Sequence, residues 1–338
     1  MVEPSPVGEM PLQWRADEIA SLRDRLSRTP AVSAFCHRNP DGDTIGAAAA
    51  IALAARQLGC PAEVVSFDPI PPAYAHLVET LDVRTAPSLD PGGLAIVCDA
   101  ATLERIGPPA SDSVAWFDAS TIVNIDHHIT NSLFGEINLV DPSAAASCEV
   151  VARVLGEIGL EIDREIASAI LAGIIRDSHG FSTAATTAST LRAAADAVDA
   201  GADLEATYRT TLLELPLVAI DLWGCLLADV QRDAGDRIAW TVLTADHLGT
   251  TGAEQHDAEG VAELIARASG VEIGLLLREV DDSTRVSIRT APGIDAAAIA
   301  ATFDGGGHRR RAGCTIHGSP ADAIPRLLEA CHGHLSGR

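Results

Sequence analysis

The chain has 338 residues, with 47 acidic and 24 basic side chains and a formal net charge of −23. This charge excludes a protein that binds long duplex nucleic acid by bulk electrostatics, because such binding uses many Lys and Arg contacts to phosphate. All 24 basic side chains are Arg, and without Lys the chain cannot be a P-loop NTPase, form a Schiff base or use a lysine general base.

The first half of the chain predicts a domain in which short strands alternate with helices. Its predicted strands are AVSAFC (31–36), AEVVSF (62–67), LAIVCD (94–99), VAWF (114–117) and TIVNID (121–126). Helices are predicted at 14–29, before the first strand, and from Thr44 to about Leu58, between the first two strands. This alternation predicts an α/β fold with a parallel sheet and helices on both faces.

From Ser143 onward the sequence is mainly helical and then returns to strands. Helical stretches at 143–159, 164–175, 190–201 and 217–231 have apolar residues recurring every three or four positions. They are followed by strands at 237–244, 271–280 and 284–290, a helix at Ile294–Thr302, the loop DGGGHRRRAG (304–313), a strand at Cys314–His317 and a helix at Ala321–Cys331. We therefore predict a first domain at residues 1–190, a helical linker at 191–216 and a smaller α/β domain at 217–338.

The cysteines and the apolar runs bear on the cellular compartment. The seven cysteines are odd in number, widely spaced and never in a C-x-x-C pair, which argues against a disulfide framework and a zinc ribbon. The N-terminal segment has neither a basic n-region nor an apolar h-region, and no apolar run approaches the ~20 residues that span a bilayer. The sequence predicts a cytoplasmic protein with no membrane partner.

Acidic and imidazole side chains follow three of the predicted strands. His37, Asp41 and Asp43 follow the first strand, Asp99 ends the LAIVCD strand, and Asp126, His127 and His128 close the TIVNID strand. If these strands are parallel neighbours, their carboxyl ends meet at one edge of the sheet, where open α/β folds bind ligands. Asp177 follows an apolar helix and could reach the same edge.

These side chains predict a metal centre. The structural alternative for the first group is a simple turn, since Asn39, Pro40, Asp41 and Gly42 all form turns readily. Several carboxylates gathered in one place repel one another unless cations neutralise them. An oxygen-rich site with some imidazole prefers Mn²⁺ or Mg²⁺ to zinc.

Five motifs in order resemble those of the DHH phosphoesterase superfamily. They are HRNPDGDTIG, CDA, IDHH, RDSHGF and GGGHRRRAG, and Asp126-His127-His128 is the DHH tripeptide itself. The last motif resembles the signature of the domain that commonly follows the DHH domain. The resemblance covers almost the whole chain and is greatest to bacterial oligoribonucleases that also dephosphorylate 3′-phosphoadenosine 5′-phosphate. It implies a DHH domain at 1–190, a substrate-binding domain at 217–338 and an active site in the cleft between them.

The resemblance implies a centre with two Mn²⁺ ions, with Mg²⁺ as the alternative ion. One ion would be held by His37, Asp41 and Asp99, and the other by Asp43, Asp99, His127 and Asp177. Two ions about 3.5–4 Å apart can share one carboxylate and activate a water as the nucleophile. The catalytic residues would be the bridging Asp99 and His128, which would stabilise the transition state or protonate the leaving oxygen. Asp126 would orient a neighbouring imidazole.

The resemblance also implies that the second domain binds substrate. The residues concerned are Arg289, Gly306, Gly307, His308 and Arg309. Arginine suits this role because its planar fork pairs bidentately with phosphate. Without the resemblance, the glycines would indicate a tight turn and the basic run a solvated patch.

The sequence departs from the usual pattern of the superfamily in two places. Arg311 stands where a small residue is common after GGGHxx. Arg176-Asp177-Ser178-His179 replaces the Thr-Asp-Thr-Gly context that often surrounds the last aspartate. The first departure affects the shape of the nucleotide pocket, and the second changes the surroundings of the predicted ligand Asp177.

The leading hypothesis is a Mn²⁺-dependent phosphoesterase that hydrolyses short oligoribonucleotides to mononucleotides and removes phosphate from nucleoside 3′,5′-bisphosphates. The alternatives are a phosphodiesterase for cyclic di-AMP or linear dinucleotides, an inorganic pyrophosphatase and a non-catalytic nucleotide sensor. The lack of Lys disfavours the pyrophosphatase, and six metal-ligand candidates disfavour the sensor. The expected partners are short RNA or nucleotides, and the oligomeric state is open, with a homodimer as one candidate.

Overall fold

The computed structural model describes residues 16–89, 92–107, 111–280 and 282–335. The chain forms two compact units, with the boundary between Glu214 and Leu215. Residues 191–214, which the sequence suggests are part of a linker, therefore belong to the first unit by their contacts. Among the described residues no single helix is long and apolar enough to cross a membrane, and one bent pair, Leu204–Leu213 with Leu217–Ala228, meets the length and composition requirement jointly.

The first unit contains a six-stranded parallel sheet in the order β3-β2-β1-β4-β5-β6. Its strands are β1 Val32–Phe35, β2 Ala62–Val65, β3 Asp82–Arg84, β4 Leu94–Cys98, β5 Thr121–Asp126 and β6 Ile137–Val140. The predicted α/β class with a parallel sheet is confirmed. Because β1, β4 and β5 are neighbours, the residues that follow these three strands meet at one edge.

Helices cover both faces of this sheet. They are α1 Ala16–Leu26, α2 Gly42–Gln57, α3 Ser111–Ala119, α4 Ser147–Ile158, α5 Arg164–Asp177, α6 Ala188–Asp199 and α7 Leu204–Tyr208, with 3₁₀ turns at Pro72–Val78 and Leu103–Ile106 and a π-helical turn at Arg209–Leu213. Along β1 the side chains of Val32 and Ala34 enter the larger core, whereas Phe35 enters the smaller core on the opposite face. The alanines of α2 let it pack closely against α5, and it is buried on nearly all sides.

The prediction of a strand for VAWF is wrong, because these residues belong to α3. Trp116 and Phe117 pack their rings 5.5 and 4.9 Å from the ring of Phe35 and so close the smaller core. A run of four apolar residues has no periodicity that separates a buried strand from the buried side of a helix. The tertiary contact with Phe35 decides the outcome.

The second unit contains a mixed six-stranded sheet in the order β11-β12-β10-β9-β8-β7. Its strands are β7 Gln231–Asp233, β8 Ile238–Leu243, β9 Ile273–Val280, β10 Ser283–Thr290, β11 Gly306–His308 and β12 Arg311–His317, and its helices are α8 Leu217–Ala228, α9 Ala245–Thr251, α10 Val261–Ala266, α11 Ala296–Ala301 and α12 Pro320–His334, with a 3₁₀ turn at Gln255–Ala258. The strands β8 and β9 are parallel, and all other pairs are antiparallel.

The prediction that DGGGHRRRAG is a loop is wrong in part, because the segment is mainly a tight β-hairpin. Gly306 pairs with Gly313 and Gly307 with Ala312, which makes β11 the edge strand beside β12. At Gly307 the backbone φ is 141°, and a Cβ atom would lie 2.6 Å from the Cα atom of Ala312. Only glycine fits this close approach, so the glycines allow strand pairing as well as a turn.

Candidate metal centre

Six side chains predicted to bind metal gather at the carboxyl edge of the first sheet. His37 follows β1, Asp99 follows β4 directly, and His127 follows β5. Asp41 caps the N-terminus of α2 and Asp43 lies in its first turn, while Asp177 is the last residue of α5. The fold therefore brings together residues from five elements that are up to 140 positions apart in sequence.

The ligand atoms form two groups on either side of Asp99. His37 Nε2 lies 3.2 Å from Asp99 Oδ2 and 3.8 Å from Asp41 Oδ1. His127 Nε2 lies 3.6 Å from Asp99 Oδ1 and 3.2 Å from Asp177 Oδ2. Asp43 joins the second group, in which the ligand atoms of Asp43, His127 and Asp177 all lie within 4.8 Å of one another. Each group has the size of one cation site, and Asp99 offers one oxygen to each.

The two histidines turn Nε2 toward these groups, because Nδ1 is used in a hydrogen bond to the backbone. His37 Nδ1 lies 2.8 Å from the carbonyl oxygen of Arg38, and His127 Nδ1 lies 3.2 Å from that of Ala144. A carbonyl oxygen only accepts a hydrogen bond, so each Nδ1 carries the proton. His127 Nε2 is buried and has no hydrogen-bond partner among the described residues. A buried nitrogen lone pair without a donor fits a metal ligand.

Hydrogen bonds from the backbone and from a serine hold the carboxylates in place. Asp43 accepts from the backbone N–H groups of Ser147, at 2.6 Å, and Cys148, at 2.9 Å, in the first turn of α4. The hydroxyl of Ser147 donates to Asp99 Oδ1 at 2.9 Å. Asp41 accepts from the backbone N–H groups of Asp43 and Thr44 as the N-cap of α2. These contacts preorganise the site, and each carboxylate oxygen keeps a second lone pair for a ligand.

The electrostatics of the site call for added positive charge. Burial and the neighbouring carboxylates, Asp177 and Asp99 among them, raise the pKa of Asp41 and Asp43 above the usual value. Burial alone would raise the pKa of Asp99 and lower that of His37. Their mutual contact reverses both effects, so the pKa of Asp99 is lowered and that of His37 is raised to about 9. Divalent cations would take the place of the protons that the cluster otherwise retains.

Gly173 permits the close approach of α5 to this site, and sequence reasoning missed it. A Cβ atom there would lie 2.6 Å from Asp43 Oδ1 and 2.8 Å from Cys148 Cβ. Cys148 and Asp43, which Gly173 contacts, are more than 20 positions away in sequence. The only local sign of this close approach is a glycine inside an apolar helix.

His128 is held by a network of polar side chains beneath it. Its Nδ1 donates to Asp126 Oδ1 at 2.7 Å, and Asp126 Oδ2 accepts from the amide of Asn131 at 2.5 Å. The amide of Asn124 in turn donates to Asn131 Oδ1 at 2.8 Å and to Asn138 Oδ1 at 3.3 Å. Asp126 thus contacts an imidazole as predicted, whereas the three asparagines were not foreseen. The hydrogen bond to Asp126 fixes Nδ1 as a donor and orients the imidazole ring of His128.

Arg176 lies beside the first ligand group. Its Nε is 3.9 Å from Asp41 Oδ2, and its charge lowers the pKa of Asp41 against the larger effects of burial and of the other carboxylates. The next residues turn sharply away from the helix, with φ of 48° at His179 and 67° at Phe181. In this unusual sequence context Asp177 still lies within the second ligand group, 3.2 Å from His127 Nε2.

The residues predicted to bind substrate lie in the second unit. Arg289 on β10 pairs with Arg311 on β12, and both contact Glu263 of α10, at 3.3 and 3.1 Å. Gly306, Gly307 and His308 form β11, and Arg309 is exposed in the turn that follows. The side chain of His308 lies outside what the structure describes. Arg311 is one of the two departures from the usual pattern of the superfamily. It pairs with Arg289 on β10 and with His308 on β11.

Comparisons with known proteins agree with this architecture. The DHH family, N-terminal domain, matches residues 31–174, and the DHHA1 domain matches residues 239–336. The Thermus thermophilus protein named bifunctional oligoribonuclease and PAP phosphatase NrnA is 33% identical over 89% of this chain and 89% of its own. The Bacillus subtilis protein of the same name is 26% identical over 88% of this chain and 94% of its own.

Two further similarities are more distant. A probable manganese-dependent inorganic pyrophosphatase of Streptococcus mutans is 29% identical over 51% of this chain and 56% of its own. The crystal structure of an exopolyphosphatase-related protein from Bacteroides fragilis superposes with a TM-score of 0.85 at 20% identity, over 94% of this chain and 96% of that one. The second similarity shows that the fold is shared.

Proposed function

The chain belongs to the DHH family and is a hydrolase of phosphate esters, and from that premise we propose a more specific activity. It hydrolyses short oligoribonucleotides to mononucleotides, removes phosphate from nucleoside 3′,5′-bisphosphates, and depends on Mn²⁺, with Mg²⁺ as the alternative ion. The similar proteins of T. thermophilus and B. subtilis carry both activities in their names.

One observation carries the proposal: Asp99 lies between two groups of ligand atoms, and one group contains the buried Nε2 of His127, which has no hydrogen-bond partner among the described residues. In this proposal His37, Asp41 and Asp99 hold one ion, and Asp43, Asp99, His127 and Asp177 hold the other. The ligands are carboxylates and imidazoles, a set that suits Mn²⁺. Thiolates do not contribute, since burial raises the pKa of Cys36 to about 12 and that of Cys148 well above its usual value.

The residues around the ions have different roles in the proposed reaction. Two divalent ions would lower the pKa of a water and withdraw charge from the phosphoryl oxygens. Asp99 contacts both ligand groups, and the hydroxyl of Ser147 holds its carboxylate in place by a hydrogen bond. His128 stabilises the transition state or, as an imidazolium, donates its Nε2 proton to the leaving oxygen, while Asp126 accepts from Nδ1 and favours that charged form.

The second unit binds the part of the substrate that does not react. Arg289, Gly306, Gly307, His308 and Arg309 are the proposed contacts, with the chemistry in the domain at 1–190 and the binding in the domain at 217–338. The guanidinium of Arg289 pairs with a phosphate, and the glycines let the substrate approach the backbone. The seven free cysteines support a reducing cytoplasm as the compartment, and a homodimer is the proposed assembly.

The experiment is a substrate panel with purified protein and Mn²⁺. It includes labelled RNA dinucleotides and pentanucleotides, 3′-phosphoadenosine 5′-phosphate, cyclic di-AMP and pyrophosphate, with the Asp99→Asn variant as the blank. We expect turnover of the short RNA and of the bisphosphate. Turnover of pyrophosphate or of cyclic di-AMP alone would replace the proposal by one of those activities, and binding without any turnover would indicate a sensor.

A further inference from the structure

The second sheet has one face covered by α11 and α12, and an opposite face that carries arginines beside apolar side chains packed against α8 and α10. Val286 and Ile288 of β10 point into the core beneath α11 and α12. The alternate residues, Arg285, Ser287 and Arg289, lie on the opposite face because successive side chains of a strand alternate. This row runs the length of β10 and is at least partly exposed at each of its three positions.

Two arginines of this face stand directly opposite each other. In the antiparallel register of β9 and β10, Arg285 pairs with Arg278. Within the described ranges, no carboxylate oxygen lies within 4.0 Å of either guanidinium, so neither arginine forms an ion pair. Arg289 and Arg311 also pair directly, but they share Glu263. The chain has about twice as many acidic as basic residues, yet neither Arg278 nor Arg285 forms an ion pair with a described residue.

Such a pair is unfavourable unless an anion joins it. Like charges directly opposite each other destabilise a sheet. Burial lowers the pKa of the half-buried Arg278, the charge of Glu259 offsets part of this, and the charge of Arg285 lowers the pKa further. The guanidinium of Arg278 is already oriented, since Nη1 donates to Ser287 Oγ at 2.8 Å.

Small residues of β12 flank the arginine and the serine of β10. Thr315 lies beside Arg285 on β12, and Gly313 lies beside Ser287. These residues are small, so the sheet surface between the arginines is shallow. The guanidinium groups of Arg278 and Arg285 and the hydroxyl of Ser287 are hydrogen-bond donors of the kind that recognise a phosphate.

We propose that Arg278, Arg285 and Ser287 form a second phosphate subsite, which binds a phosphodiester further along an oligoribonucleotide whose nearer phosphate contacts Arg289. The inference rests on the proposed function and adds a preference for chain length to it. Arg285 lies four residues from Arg289, or about 13 Å along the strand. That distance exceeds one nucleotide step, so a dinucleotide held at Arg289 does not reach the subsite.

The test compares the binding of short and longer RNA without hydrolysis. Fluorescein-labelled 2′-O-methyl phosphorothioate RNA of two and of five nucleotides is titrated against wild type and Arg285→Ala, and anisotropy is followed. The exposed Arg232 of β7, at the other edge of the sheet, gives the control Arg232→Ala. Arg285→Lys tests whether charge alone suffices.

We expect Arg285→Ala to weaken binding of the pentanucleotide about 10-fold, as for a lost charge-assisted contact, and that of the dinucleotide less than twofold. The slope of log affinity against log salt for the pentanucleotide should fall by about 0.7. Arg285→Lys should retain part of the affinity because it keeps the charge, and Arg232→Ala should match wild type.

Three outcomes would overturn the inference. Equal losses for both lengths would assign Arg285 to the fold or to the site of Arg289, and no loss for either would remove the subsite. If wild type cleaves short RNA in the substrate panel, both outcomes leave the proposed function intact. If wild type neither binds nor cleaves RNA, the proposed function fails and the inference fails with it.

Discussion

Asp99 is the residue on which both ligand groups depend. Its backbone φ is 59°, in the left-handed region that residues other than glycine rarely adopt, and aspartate and asparagine tolerate this region best. The strained turn directs the carboxylate from the end of β4 into the centre of the site, where one oxygen faces each imidazole. Strain of this kind is found where a side chain must point in one direction for function.

We predict that Asp99→Asn removes activity while the protein still folds. Asparagine keeps the shape and the tolerance of positive φ, but the shared charge is lost, and a loss of at least about 10²–10³-fold in kcat is expected. The measurement is turnover of an RNA dinucleotide together with the Mn²⁺ content after dialysis. Near-normal activity with undiminished metal content would contradict the role of Asp99 as the shared ligand.

Asn131 positions His128 through Asp126, so we predict that Asn131→Ala slows catalysis mainly through kcat. Misplacing a proton donor that contributes about 10²–10⁴-fold should cost roughly 10-fold on RNA dinucleotides. The loss should be smaller on p-nitrophenyl phosphate esters, because nitrophenolate leaves without being protonated. Asn138→Ala, one step further along the network, serves as the control. Equal losses on both substrates would indicate a purely structural role.

Arg289 tests the binding role of the second unit. Arg289→Ala removes a charge-assisted contact of about 1.5–3 kcal/mol, so kcat/KM on dinucleotides should fall roughly 10- to 100-fold. Hydrolysis of bis-p-nitrophenyl phosphate, which has no second nucleotide to bind, should change little. Both substrates are measured on one preparation, and parallel losses would mean that Arg289 supports the metal site or the fold.

At the scale of elements, the site depends on how closely three helices approach one another. The first turn of α4 donates two backbone N–H groups to Asp43 at the start of α2, and Gly173 of α5 packs against both. Asp43 is fully buried by these contacts. The helices therefore fix the position of Asp43, one of the proposed metal ligands.

We predict that Gly173→Ala both destabilises the protein and weakens metal binding. The added methyl group would meet Asp43 Oδ1 and Cys148, and overpacking of this kind costs about 1–3 kcal/mol. Gly156→Ala in α4 is the matched control, since a Cβ atom there meets nothing within 4 Å and should be neutral or stabilise by about 0.4–1 kcal/mol. Urea unfolding and Mn²⁺ titration measure both effects, and equal behaviour of the two variants would contradict the close-packing argument.

At the scale of the whole molecule, a strongly acidic chain concentrates carboxylates at one centre and arginines on one sheet face. The charge of −23 opposes the approach of nucleic acid, so binding requires local positive charge from cations at the centre and from the arginines of the second sheet. Salt and divalent ions should therefore affect this protein more than they affect an enzyme of balanced charge.

Metal removal tests this dependence directly. Chelation should abolish activity, and Mn²⁺ should restore it better than Zn²⁺, because the ligand set is rich in carboxylates and free of thiolates. An ion at about 100 times its Kd adds about 2.7 kcal/mol, so the Tm should rise by roughly 5–10 °C on adding Mn²⁺. Calorimetry and turnover in parallel provide the measurement, and full activity in excess chelator after dialysis would refute metal dependence.

The sequence by itself determined the class of fold and the set of candidate ligands. Strands alternating with helices predict a parallel sheet, and in such a sheet the polar residues after successive strands must meet at one edge. His37, Asp99 and His127 could therefore be placed together from their positions alone. The order of motifs was enough to identify the family, because each motif combines a turn with a particular set of ligands.

Only the tertiary structure decided which contacts hold these residues in place. Ser147 reaches Asp43 across 104 positions, and the pairing of Arg278 with Arg285 follows from strand register. The helix at VAWF and the hairpin at GGGH likewise depend on partners distant in sequence, Phe35 for the one and β12 for the other. Local periodicity reports which residues are buried, but close approach, hydrogen-bond partners and register arise only when distant segments pack together.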